Sequence, residues 1–140
     1  MTAEDHNIEL VRRLYELNAR GEIDEAVTYL ADDVEWVEPP ENPDASTRIG
    51  RDQARRSNED RSSTWGSLQI DVLDLSADGD RVLAHLKIGV EGAGSGVPAE
   101  FEQHQVWTVR NGKVTRMQMF YDEGEAKRAA GIETAIEETT

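Results

Sequence analysis

From Leu68 onward the chain is a succession of four strand-like runs separated by turn signals, at 68–75, 81–90, 99–110 and 113–121. Strand residues alternate between two faces, so each run presents one row of side chains to each side of a sheet. In the second run Val82, Ala84, Leu86, Ile88 and Val90 form the apolar row, with His85, Lys87 and Glu91 opposite. Turns fall at Ala77-Asp78-Gly79-Asp80 and at Asn111-Gly112. The second is a two-residue hairpin signal, because both central residues of that turn require positive φ. Strands joined this tightly pair antiparallel; a parallel partner needs a crossover of a dozen or more residues. Gly92-Ala93-Gly94-Ser95-Gly96 reads as a flexible loop between the middle strands. It lacks the glycine spacing and the lysine of a phosphate-binding loop.

The N-terminal half has a different period. Ile8, Val11, Leu14, Tyr15 and Leu17 recur at helical spacing, with Asp5 or Asn7 as candidate cap and an end near Arg20-Gly21. Asp24 is the candidate cap of a second, short helix carrying Ala26, Val27 and Leu30. Alternation then begins: Val34, Trp36 and Glu38 share one side of a short strand that Pro39-Pro40 stops. Residues 39–50 read as a loop, and a third helix runs from about Asp52 to about Trp65. A final helix covers Glu123 to Ala130, with Gly131 as its stop. Helices followed by a long meander specify an α+β domain over residues 1–132, with a polar, disordered tail at 133–140.

Composition narrows the function. The 29 acidic residues against 15 basic ones give a formal net charge of −14. That field repels a phosphate backbone, and no basic cluster offsets it, so nucleic acid is not an expected partner. Cysteine is absent, which excludes thiolate metal sites and thiol nucleophiles. His6, His85 and His104 are scattered without metal-ligand spacing, and no serine sits in a Gly-x-Ser-x-Gly elbow. No apolar run approaches the ~20 residues that span a bilayer, and the N-terminus lacks a secretory pattern. The expectation is a cytoplasmic protein with no metal, no cofactor and no membrane contact.

Several segments in this order carry a family likeness. Asn18-Ala19-Arg20-Gly21-Glu22-Ile23-Asp24, Leu30-Ala31-Asp32-Asp33-Val34-Glu35-Trp36 and Pro39-Pro40 precede the third helix. His104-Gln105-Val106-Trp107-Thr108 and Arg110-Asn111-Gly112-Lys113-Val114 follow it in the meander. From about Ile8 to Ile132 the chain resembles the SnoaL-like branch of the nuclear-transport-factor-2-like superfamily, which includes ketosteroid isomerases. The resemblance implies a cone-shaped, curved antiparallel sheet wrapped on N-terminal helices, with an internal pocket and a homodimer through the outer sheet face. Such folds host isomerases, polyketide cyclases, hydrolases and non-catalytic proteins, so the site must decide.

By this resemblance Glu38 falls where ketosteroid isomerases carry the carboxylate that moves a proton beside a carbonyl. Its structural alternative is a solvated or arginine-paired strand-end carboxylate. His104 resembles in position the carboxyl group that helps hold the oxyanion in those enzymes; a histidine there titrates near neutrality, but a core or interface histidine fits equally. The helix-one tyrosine of those isomerases is matched by Leu14, and Tyr15 lies about 100° around the helix from it.

Periodicity adds a polar patch. Ala54, Ser57, Asn58, Arg61 and Trp65 share one face of the third helix. Ser57, Asn58 and Arg61 would need partners if that face is turned inward, and a guanidinium can hold a ligand oxygen with two parallel hydrogen bonds. A helix rotated so that Arg61 meets solvent is the alternative. Met117, Met119 and Tyr121 share one face of the last strand; Met119 and Tyr121, with Trp36, are candidate ligand contacts. Trp107 alternates against His104 and Val106, which suggests an outer-face anchor for a dimer. Two functions fit these residues. One is a cofactor-free acid–base enzyme of isomerase, cyclase or hydrolase type on a small, mostly apolar carbonyl compound. The other is a non-catalytic ligand-binding or dimeric assembly module.

Overall fold

Helix α1 (Ala3–Ala19) turns Val11, Leu14 and Leu17 into the core at helical spacing. Its cap is Thr2, not Asp5 or Asn7. Thr2 Oγ1 accepts from the Asp5 amide, and the Asp5 carboxylate accepts from the Thr2 amide. This reciprocal box satisfies two N–H groups that the helix cannot bond internally, so Asp5 is more useful three residues inside than at the cap. Helix α2 (Ile23–Val27) begins after Glu22; Asp24 sits in its first turn and pairs with Arg55 instead of capping. A computed structural model describes residues 2–39, 41, 46–65, 67–91 and 98–131. The glycine-rich 92–96 segment and the 133–140 tail lie outside the described residues.

Strand β1 (Leu30–Val37) alternates buried and exposed positions, with Leu30, Val34 and Trp36 inward. The expected loop contains a further strand, β2 (Thr47–Ile49), antiparallel to β1 with Trp36 opposite Arg48. Gly50 follows at φ 100°, where a side chain is disfavoured, and its N–H donates to Val34 O at 2.8 Å. That turn launches helix α3 (Arg51–Trp65) across β1.

The meander is β3 (Ser67–Asp78), β4 (Arg81–Glu91), β5 (Pro98–Arg110) and β6 (Lys113–Phe120), each antiparallel to the next. Asn111 and Gly112 both take positive φ, as the hairpin signal requires. Helix α4 (Glu123–Ala130) is capped by Asp122 and ends on left-handed Gly131. The six strands form one curved, unclosed sheet in the order β2-β1-β6-β5-β4-β3. One pairing departs from the antiparallel expectation: β1 runs parallel to β6. Those two strands are separated by most of the chain, so no tight turn dictates their direction.

The two faces of the sheet carry different cores. Helix α1 packs on the inner face at β3 and β4, and the core there joins Val82, Ala84, Leu86 and Ile88 to Trp107, Met117 and Met119. Val82, Leu86, Ile88, Met117 and Met119 each contribute about 1.5–3 kcal/mol on full burial. Helix α4 covers a smaller outer cluster of Leu83, Val106 and Phe120 with Ala126 and Ala130. Trp107 is therefore not an outer-face anchor. It meets Tyr15 and Trp36 edge-on, with ring centroids 5.6 and 5.7 Å away. Alternation correctly separates Trp107 from His104 and Val106, but adjacent apolar residues at 106 and 107 conceal which face turns inward.

Candidate active site

Glu38 is the first residue beyond β1 and continues its inward row. Its side chain is 13% exposed. Ser57 Oγ donates to Glu38 Oε2 and Ser46 Oγ to Oε1, each at 3.2 Å. The Arg48 guanidinium lies 3.7 Å from Oε1. Two hydroxyls and a cation thus fix the carboxylate at the rim of an apolar face. Ser57 is fully buried, as the inward reading of its helix face expects, and Ala54 is buried one turn earlier. Asn58 and Arg61 belong to the same helix, but their side chains lie outside the described residues.

Across the sheet from Glu38 stands a second polar group. Trp107 Nε1–H donates to Tyr15 Oη at 2.9 Å, and Tyr15 Oη–H donates to Gln105 Oε1 at 2.5 Å. Gln105 Nε2–H then donates to Gln103 Oε1 at 2.8 Å. Gln103 and Gln105 are both buried on the inner face. Leu14 is a core residue, yet Tyr15 still reaches the inner face, because a phenol is long enough to bring its hydroxyl back over the sheet although its Cα is rotated outward. Alternation gives no warning of this, since it follows Cβ directions and not side-chain reach.

The strand register joins these two groups. Gln105 is opposite Met119, and Val37 is opposite Gln118, so one step further Glu38 comes level with Met119. Glu38 and Gln105 are then two strands apart, about 10 Å between backbones, with Met119 as the floor between them. Tyr121 continues the Met119 row at the strand end, where it is 38% exposed and meets Phe101 edge-on at 6.1 Å. Trp36 lies one row deeper, opposite Met117. Its Nε1–H is buried and has no hydrogen-bond acceptor among the described residues. Between Trp36, Trp107, Leu14, Asn18, Ala54 and Arg55 runs a crevice with only about 20 Å³ open to the centre of a water-sized sphere. That is room for roughly one water.

His104 is not part of this group. It lies on the outer face, stacked on His85 at 4.5 Å between ring centroids, and near the start of α4. Burial first, and then the neighbouring His85 charge, push its pKa below the ordinary histidine value; Glu123, Glu102 and Asp122 oppose them. Its Nδ1 is buried without a partner among the described residues. The sheet itself therefore separates His104 from Glu38. Conversely, Arg48, Ser46, Gln103 and Gln105 were not singled out from the sequence. For Arg48 the available signal was the β-branched alternation of Thr47-Arg48-Ile49 before Gly50.

This geometry can be set beside known proteins. The sequence model of the SnoaL-like domain matches residues 11–117. The chain belongs to the SnoaL-like domain family. Solved SnoaL-like and related structures agree on the fold. A nuclear-transport-factor-2-like protein of unknown function from Burkholderia pseudomallei K96243 is 21% identical, covers 93% of this chain and 98% of its own, and superposes with a TM-score of 0.75. TerC, co-crystallised with polyporic acid, is 25% identical over 92% of this chain and 99% of its own, with a TM-score of 0.74. A protein from Kribbella flavida DSM 17836, provisionally named a ketosteroid isomerase, is 23% identical over 88% and 82%, with a TM-score of 0.69. Among the curated proteins none matches the chain. No helix of the described residues is long and apolar enough to cross a membrane.

Proposed function

We propose that this SnoaL-like protein binds a small, mostly apolar carbonyl compound on the inner sheet face and moves a proton beside the carbonyl with Glu38, without a cofactor. The observation that carries the reading is a mostly buried carboxylate, oriented by Ser46 and Ser57, at the edge of an apolar floor. A carboxylate held in one rotamer keeps one oxygen edge toward a bound carbon acid, and positioning of that kind lowers the entropic barrier to proton transfer. Met119, Tyr121 and Trp36 are the ligand contacts in this reading, and the Trp36 N–H has no acceptor among the described residues. Asn58 and Arg61 remain ligand contacts in this reading by virtue of their helix face alone. Cytoplasmic location is kept from the sequence pattern and a homodimer through the outer sheet face from the family resemblance; Trp107 no longer supports the dimer.

The test is deuterium exchange at the carbon beside the carbonyl of a reactive ketone, 2-tetralone, followed by NMR in heavy water. Wild-type protein accelerates the exchange, and Glu38→Gln abolishes the acceleration while the fold is retained. Exchange at the same rate in both proteins sinks the assignment. The placement of His104 outside the site favours a second reading, a non-catalytic ligand-binding or assembly module. That reading expects ligand binding with no exchange in either protein.

A further inference from the structure

Strand β3 ends the sheet, so one of its edges has no neighbouring strand. Along that edge every second residue turns its N–H and C=O outward, a template for a further strand. Proteins blunt such edges with bulges and charges. β3 carries both, yet between its charges it exposes two apolar side chains. The pairing with β4 slips by one residue between Val72 and Asp74, so Leu73 is an extra residue with no counterpart on β4. A bulge of this kind re-aims the side chains beside it. Val72 stands opposite buried Leu86 and yet is 39% exposed, and Leu73 is 51% exposed. With Asp71 and Asp74 they make four exposed residues in succession on the edge.

The two aspartates lack the partners that their positions offer. Asp71 is opposite Lys87 and Asp74 opposite His85. Lys87 bonds Glu100 at 3.2 Å instead, and His85 bonds Glu102, both on β5. Neither aspartate makes an ion pair among the described residues. Two apolar side chains thus lie between two uncompensated negative charges, beside an open row of backbone groups. We propose that the β3 edge at 71–74 docks an extended segment of a partner protein, added to the sheet as a strand, with basic residues flanking its apolar ones. Backbone hydrogen bonds supply affinity in strand addition, and side-chain matching supplies the choice of partner. A second copy of this chain is the wrong occupant. Laid antiparallel and centred on Val72-Leu73, it places each Asp71 opposite the Asp74 of the other copy, and like charges so placed are destabilising. An acidic segment fails for the same reason, and the net charge of −14 favours a basic one. Three strands, β4, β5 and β6, separate this edge from β1, beyond which Glu38 lies, so the proposal is independent of the chemistry assigned to Glu38.

The experiment titrates the full chain with an amidated peptide labelled with fluorescein at its N-terminus, Lys-Val-Arg-Val-Val-Arg-Val-Lys, and reads anisotropy and backbone amide NMR. Wild-type protein binds it, and the amides of β3 around Val72 and Leu73 shift and exchange with deuterium more slowly in the complex. The same peptide with proline at its two central positions cannot continue the ladder and binds about tenfold more weakly. Asp71→Asn combined with Asp74→Asn weakens the parent peptide about fivefold, the scale of two cross-strand charge pairs. Leu73→Ser, which leaves both charges in place, weakens it by a similar factor. All of these side chains are exposed, so the variants retain the fold. No binding, equal affinity for the two peptides, or affinity unchanged in the variants overturns the proposal; the last two outcomes would show diffuse attraction to an acidic protein. Self-association of the wild type that Leu73→Lys abolishes, read by sedimentation, would assign the edge to a second copy and overturn it as well.

Discussion

Ser57 Oγ lies 3.2 Å from Glu38 Oε2, and the serine is fully buried whereas the carboxylate is partly open. Helix α3 is thereby tied to the end of β1 through a single hydroxyl. Ser57→Ala leaves one carboxylate oxygen without that donor, although Ser46 and Arg48 still hold the other. The expected cost is about 1 kcal/mol, below the usual range for a hydrogen bond to a charged group because water reaches Glu38. Urea denaturation measures it. The same variant slows Glu38-dependent exchange, because the carboxylate regains rotamer freedom.

The hydroxyl of Tyr15 serves two buried partners, Trp107 and Gln105. Tyr15→Phe keeps the ring and its edge contact with Trp107 but strands the indole N–H. The expected destabilisation is about 1–3 kcal/mol, the penalty for a buried donor without an acceptor. A double-mutant cycle isolates this term. In a Trp107→Phe background, Tyr15→Phe costs less by about 1 kcal/mol, since the stranded group is already gone. Equal costs in both backgrounds would show that the indole bond contributes nothing to stability.

Much of this fold is legible from period and punctuation. The switch from helical spacing before Gly21 to alternation after Asp33 places the helices and strands, and Asn111-Gly112 fixes the last hairpin. Face assignment on β5 is not legible, because Val106 and Trp107 are both apolar and each face of the sheet has its own core. The Glu38–Ser57 contact was accessible only in halves: an inward strand end and an inward helix face. Their meeting depends on where α3 crosses β1, which no local pattern encodes. The Trp107–Tyr15–Gln105–Gln103 chain was hidden for another reason. Gln103 and Gln105 share the inner row with Trp107, which the ambiguous face of β5 concealed, and Tyr15 joins them through a reach that its Cβ direction does not show.

Thr2 caps α1, and Glu4 in the same first turn accepts from the Gly79 amide of the β3–β4 turn at 2.8 Å. Thr2→Ala removes the side-chain acceptor for the Asp5 amide. A loss of about 1 kcal/mol is expected for such a cap. Because the cap is at the helix end, much of the effect is local fraying. Hydrogen exchange at the Asp5 amide accelerates, while amides near Leu14 and Leu17 change little. Uniform acceleration along α1 would mean that the cap governs the whole helix.

His104 makes stability fall on the acid side of neutrality. Its folded-state pKa lies below that of the unfolded chain, with burial as the first cause and the His85 charge as the second. As pH drops through the ordinary histidine value the unfolded state takes up the proton first, so protonation favours unfolding. Stability is therefore highest above that value and declines as pH falls toward the depressed folded-state pKa, below which the decline from this residue stops. One proton of difference gives at most about 1.4 kcal/mol per pH unit. His85 shares the stack and bonds Glu102 through Nε2, while Glu123, Glu102 and Asp122 lend some support to a charged His104. Those carboxylates limit the effect without reversing its sign. Urea midpoints between pH 7.5 and 5.5 are expected to fall in the wild type and to flatten in His104→Phe, which keeps a ring against His85 but cannot titrate. A slope unchanged by that substitution would assign the acid sensitivity to groups other than His104.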